Sequence, residues 1–474
     1  MIEADDANRF DPAKVQGNIL RGYHYARVRH LVLEVRNPEQ GRRWLGHCVD
    51  GTGDAPPVTS EEQWLIKPVS CFNLGFTYDG LKALGVSRTS LASFTSEFKA
   101  GMARRAIKIN DVGQSAPENW AAPFDSPSRV HLIASIYADE IAELDRVALQ
   151  VSTAGGGTAF AILSAHDGWN FDTDYVHFGY RDSMSQPRFV GVHDPESYAD
   201  GQPLVPIGAM LIGYPTEYQN IRYAVPQPDV LGRDGAFNAF RILKQDCAGF
   251  DQYLDTAATA LLDDRLGAEL LPPGNETKFG PGATRHMAMR EIIAAKMCGR
   301  WRNGVPLELS PDTPNPPHPV SPTDYTYTDD IRCPFGAHMR RCNPRGSTIV
   351  QRAARHTRRL VRRGYPYGGR FDPQAPDDEE RGLLGNFVCA SLAGQFEAMM
   401  CDWLNLGLQD PRITGSNDPL LGANEAETSW FAIPLKSGRE IKLRGFPRFV
   451  TVRGGAYTFL ASIPAIRYIA NLKG

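Results

Sequence analysis

The stretch Cys333-Pro334-Phe335-Gly336-Ala337-His338-Met339-Arg340-Arg341-Cys342-Asn343-Pro344-Arg345 organises the chain. Pro334 is barred from a helix interior but suits a first turn. Pro344 pushes Asn343 out of the α region, so a helix is expected to stop near Cys342. About two turns remain between them, with His338 in the middle. Small residues precede the histidine, and Arg340, Arg341 and Arg345 follow it. An imidazole so placed suits an axial haem ligand, with arginines for the two propionates. The same residues also read as a packed or surface histidine beside a basic patch. Zinc held by Cys333, His338 and Cys342 is a third reading, but their spacing matches no usual knuckle and no second cysteine pair lies nearby.

Two other stretches carry groups of chemical interest. Phe178-Gly179-Tyr180-Arg181-Asp182-Ser183-Met184-Ser185-Gln186-Pro187 holds Asp182 among turn-forming residues, and alone reads as a turn or cap. Arg362-Arg363-Gly364-Tyr365-Pro366-Tyr367-Gly368 opens on two of the many arginines between Arg340 and Arg370, most of which must be solvated or paired. Taken in chain order, the three stretches resemble the distal-aspartate, proximal-histidine and distal-arginine motifs of the dye-decolorizing peroxidases. Weaker similarity runs from Gln16-Gly17-Asn18-Ile19-Leu20 to the end of the chain.

The resemblance implies an α+β fold of two ferredoxin-like halves, a duplicated barrel-like sandwich, with haem held mainly by the C-terminal half. It divides the chain into residues 1–200, ending in the distal aspartate loop, and 201–474, the haem-binding half. It implies haem b on His338, with Arg340, Arg341 and Arg345 as propionate candidates. The implied activity reduces hydrogen peroxide and oxidises bulky aromatic or dye-like donors through a high-valent iron-oxo intermediate. Splitting peroxide needs a proton moved between its oxygens and charge stabilised as they part. Asp182 and Arg362 stand at the matching positions. The register of Pro366-Tyr367-Gly368 selects Arg362 over Arg363.

Two departures from the family pattern bear on rate. Ser183 stands where the family has glycine, a residue that would permit a positive φ. Ser391 stands where many relatives carry the carboxylate that accepts the second ring N–H of the proximal histidine. Glu397 and Asp402 are alternatives for that carboxylate. These departures favour the competing reading of a haem-handling protein with low turnover. A haem-free protein on the same fold is a third class.

At 474 residues the chain can bury a large core. A net charge of −3 gives no reason to expect nucleic acid or an anionic membrane as partner. The expected partners are peroxide and small aromatic reductants, and a homo-oligomer is compatible. Met1 to Asp6 is acidic and lacks a secretory pattern, no apolar run spans a bilayer, and the eight cysteines have no framework spacing. A cytoplasmic protein with reduced thiols is expected.

Apolar patterning predicts strands over 27–35, 71–77, 130–137 and 158–163, with helices over 39–48 and 139–151. A capping Asp79 predicts a further helix over 80–84. The order suggests a ferredoxin-like half. Later, regular structure restarts at 208–214. Strands are expected over 236–241, 383–390, 449–452 and 457–460, the last two split by Gly454-Gly455. Helices are expected over 244–266, 285–297 and 392–404. The proline-rich 306–322 reads as an extended crossing.

Overall fold

In the first half, Arg27–Val35 forms β1, as its apolar alternation predicts. Asn37 caps α1, Pro38–Asp50, by accepting the Gln40 N–H, and Gly51 ends that helix in the left-handed region. Then follow β2, Ser70–Phe76, β3, Leu132–Ala138, α2, Ile141–Ser152, and β4, Phe160–Trp169. The second half supplies β5, Ala236–Gln245, α3, Cys247–Leu262, α4, Arg285–Cys298, and α5, His338–Cys342. It continues with β6, Val361–Tyr367, β7, Gly382–Cys389, the π-helical segment 392–405, β8, Val450–Leu460, and α6, Ile463–Ala470. The computed structural model describes residues 10–197, 199, 201–217, 220–346 and 358–473. The acidic start read above lies outside them.

All eight strands join one sheet in the order β4-β1-β3-β2-β8-β5-β7-β6. Numbered within its own half, each run of four has the order 4-1-3-2, the antiparallel ferredoxin-like pattern. The two runs meet through a single ladder pair, Phe459 with Phe76. The end strands β4 and β6 also approach each other. A Cβ on Gly168 would lie 2.7 Å from the Tyr365 Cβ, so only glycine permits that closure. The curled sheet buries Leu31, Leu33, Leu74, Phe76, Phe237 and Phe459 in its core.

Charged side chains stitch the two halves together inside this core. Arg241 on β5 pairs with Asp111 at 2.6 Å, both 2% exposed. Arg105 donates through two nitrogens to Glu397, whose carboxylate also accepts the Tyr457 hydroxyl.

Four local expectations need correction. The helix after β2 is Tyr78–Ala83, and Thr77, not Asp79, caps it, because its hydroxyl reaches the Gly80 N–H. Residues 208–214, where regular structure was expected to restart, are the end of the short 3-10 helix Ile207–Ala209 followed by turns. The glycines near 454 do not split a strand. They sit at an irregularity between Val452 and Gly454 in one continuous β8, where glycine relieves the crowding of a bulge. The stretch Val361–Tyr367, not assigned a strand above, is the edge strand β6.

Candidate functional site

The helix of the opening stretch is one turn rather than two. Residues 333–337 turn first, Ala337 is extended, and His338 is the first helical residue. His338 Nδ1 lies 3.0 Å from Asp418 Oδ2. Asp418 is fully buried, and its other oxygen accepts the backbone N–H groups of Leu420 and Leu421 at 2.9 and 2.8 Å. Burial would raise this carboxyl, but His338, Arg341 and the Leu421 N–H outweigh it and hold it below the usual carboxylate range. Burial likewise opposes charge on His338, yet Cys342 and Asp418 hold its ring well above the usual histidine value. With Nδ1 committed to Asp418, Nε2 is the nitrogen available to a ligand, and the side chain keeps 26% exposure.

The three arginines of this stretch divide. Arg340 donates to the carbonyls of Asp329 and Cys333 and lies over the Phe335 ring. Arg341 donates to the carbonyls of Gly336, Trp403 and Ser416 and to the Ser416 hydroxyl. The expectation that Arg341 takes a propionate therefore needs correction, since its guanidinium is spent on protein acceptors, whereas Arg340 keeps a buried Nε without a partner. Arg341 instead braces the segment that carries Asp418, two residues beyond Ser416. Arg345 differs. It is 1% exposed, lies over Tyr325, and donates to the carbonyls of Gly201 and Thr323 and to the Ser185 hydroxyl. Its Nε, like that of Arg340, is buried without a partner, and only Arg345 reaches the Asp182 loop.

Ser185 draws the three motifs together. Its hydroxyl accepts Arg345 Nη2 at 3.2 Å, and its carbonyl lies 3.4 Å from Arg362 Nη2. Arg362 Nη2 is also 3.7 Å from Asp182 Oδ1, with both side chains partly open to solvent. Ser183, beside Asp182, has φ of 61°, the left-handed conformation that the family's glycine would adopt without strain.

The carboxylate partner of His338 was not found from sequence. Ser391 caps the π-helical segment through the Gly394 N–H. Glu397 is occupied by Arg105, and Asp402 pairs with Arg358 at 2.9 Å. Asp418 lies 80 residues beyond its histidine in a loop, where no spacing rule points to it. The zinc reading fails on geometry, because among the described residues no three His, Cys, Asp or Glu side chains converge as a metal cluster.

A haem fits these residues. An oriented imidazole offers Nε2, and the orphaned Arg345 Nε is a buried donor suited to a carboxylate.

The family model described as the DyP dimeric alpha+beta barrel domain matches residues 14–166. The dye-decolorizing peroxidase msp1 of Mycetinis scorodonius is 27% identical, covering 97% of this chain and 87% of that protein. The multifunctional dye peroxidase DyP2 of an Amycolatopsis species is 26% identical, covering 96% and 95%. A solved dye-decolorizing peroxidase in complex with 2,6-dimethoxyphenol superposes with a TM-score of 0.78 at 25% identity, over 98% of this chain and 100% of that one. The chain is thus similar to dye-decolorizing peroxidases over nearly its whole length. Its α+β barrel is that of these peroxidases, a class of haem enzymes. Among the described residues no helix is long and apolar enough to cross a membrane.

Proposed function

We propose that this protein is a haem b peroxidase that reduces hydrogen peroxide and oxidises bulky aromatic or dye-like donors. The observation that carries the reading is the meeting of all three motifs at Ser185, with Asp182 and Arg362 side by side. His338, oriented by Asp418, would hold the haem iron, and Arg345 would hold a propionate. Bound haem supplies the redox-active iron. Asp182 takes a proton from one peroxide oxygen and returns it to the other. Arg362, always charged, stabilises the oxygen that departs.

The same reading places the haem-binding half at 201–474 and the half ending in the aspartate loop at 1–200, supported by the repeated strand order. It places the protein in the cytoplasm, supported by eight unpaired cysteines, six of them buried. An absorbance spectrum after expression with ample haem tests the assignment. A Soret band that shifts on adding peroxide is expected. An unchanged ferric spectrum would indicate a haem-handling protein, and no Soret band a haem-free one.

A further inference from the structure

Asp182 Oδ1 and Arg362 Nη2 lie 3.7 Å apart, near the limit of an ion pair. A contact that long does little to hold its own spacing. Their spacing needs another support, and the loop carrying Asp182 shows it. Gln186 Nε2 donates to the Arg362 carbonyl at 2.9 Å, and Gln186 Oε1 accepts the Arg362 N–H at 3.1 Å. One carboxamide thus makes the paired bonds that a residue of an adjacent strand would make. It makes them on the edge strand β6, which is hydrogen-bonded to β7 on its other side. At the far end of the loop, His177 Nε2 lies 2.8 Å from the Tyr367 carbonyl. The loop therefore runs antiparallel along β6, pinned at Arg362 and Tyr367, with Asp182 between the pins. Gln186 is fixed in turn, because its own carbonyl accepts the Gln202 side chain.

We propose that Gln186 is the positioning residue that sets the distance between Asp182 and Arg362. The proposal rests on the peroxidase reading above. Gln186 touches no reactant and acts through the backbone of Arg362. Loss of its carboxamide frees the edge of β6 from the loop, and misplacement by an ångström or so slows a positioned step about ten- to a hundredfold.

The test compares Gln186→Leu, which removes both bonds at similar volume, with Gln186→Glu, which keeps an acceptor for the Arg362 N–H. Each haem-loaded variant is measured for Soret absorbance per protein, peroxide reaction rate against pH, and cyanide affinity by absorbance titration. Parent-level haem is expected in both. Gln186→Leu should react about tenfold or more slowly, bind cyanide several-fold more weakly and shift the pH–rate profile, with Gln186→Glu intermediate. A merely structural role would lower haem content and melting temperature together and leave the profile of the loaded fraction unmoved. That result, or parent-like rate and cyanide affinity in Gln186→Leu, overturns the proposal. If the parent itself does not react with peroxide, the peroxidase reading fails, and cyanide affinity still decides the role of Gln186.

Discussion

Asp418 Oδ2 and His338 Nδ1 meet at 3.0 Å, and the carboxylate is sealed from solvent while the imidazole is not. The buried partner therefore orients the ring and leaves Nε2 for a ligand. His338→Ala should abolish haem retention. Asp418→Asn keeps size but loses the charge, and haem affinity should fall about ten- to a hundredfold. Haem content per protein and titration of the apoprotein check both. Full loading of His338→Ala with an unaltered spectrum would sink the axial assignment.

On the proposed reading Asp182 and Arg362 serve one barrier. Arg362→Leu should slow the peroxide reaction about a hundred- to thousandfold, and Asp182→Asn should slow it with haem still bound. The double variant should lose less than the product of the single losses, since both act on the same step. Stopped-flow absorbance across the cycle is the measurement. Parent-like rates in both single variants would remove the distal assignment.

Ser183 pays for its φ of 61° with a side chain in the left-handed region. Ser183→Gly should relieve that strain, partly offset by greater freedom in the unfolded chain, and raise unfolding stability by up to about 1 kcal/mol. Chemical denaturation of the two proteins decides the sign. A clear loss of stability would mean the serine side chain makes a compensating bond.

Glu61 gives a pH dependence unrelated to the site. It is 3% exposed, and burial pushes its carboxyl up to about 7, although the N–H groups of Arg21 and Leu20 and the Arg363 guanidinium pull it down. The folded state thus binds this proton more tightly than the unfolded state. The stability it contributes is full below about 4.5 and is lost as pH rises through about 7. Glu61→Gln should therefore raise the melting temperature relative to parent more at pH 8 than at pH 5. Equal shifts at both values would show that Glu61 ionises normally.

Much of this was legible in the chain because the signals were local. Alternating apolar residues marked β1 to its ends, and turn chemistry marked the loop around Asp182. What escaped depends on contacts between distant segments. Asp418 reaches His338 only after the 403–416 segment folds back and is braced by Arg341. The arginines after His338 look alike in sequence, and only packing separates Arg345, which reaches the Ser185 hydroxyl, from Arg340 and Arg341. Edge strand β6 was hidden by its own composition, since Arg362, Arg363, Gly364 and Pro366 are poor strand formers that tertiary pairing with β7 overrides.

The pairs Arg241–Asp111, buried on both sides, and Arg105–Glu397, buried at the glutamate, each take one member from either side of residue 200. Where the backbone supplies one ladder pair, these charges supply the mortar. A fragment cut there would leave Arg241 and Glu397 inside a core with no counter-charge, a loss of several kcal/mol for each broken pair. Gene duplication could build such a barrel from two copies, but mutually dependent charges then close the way back. Each half has become a cofactor of the other, and recombination with a foreign half succeeds only when it brings both missing partners.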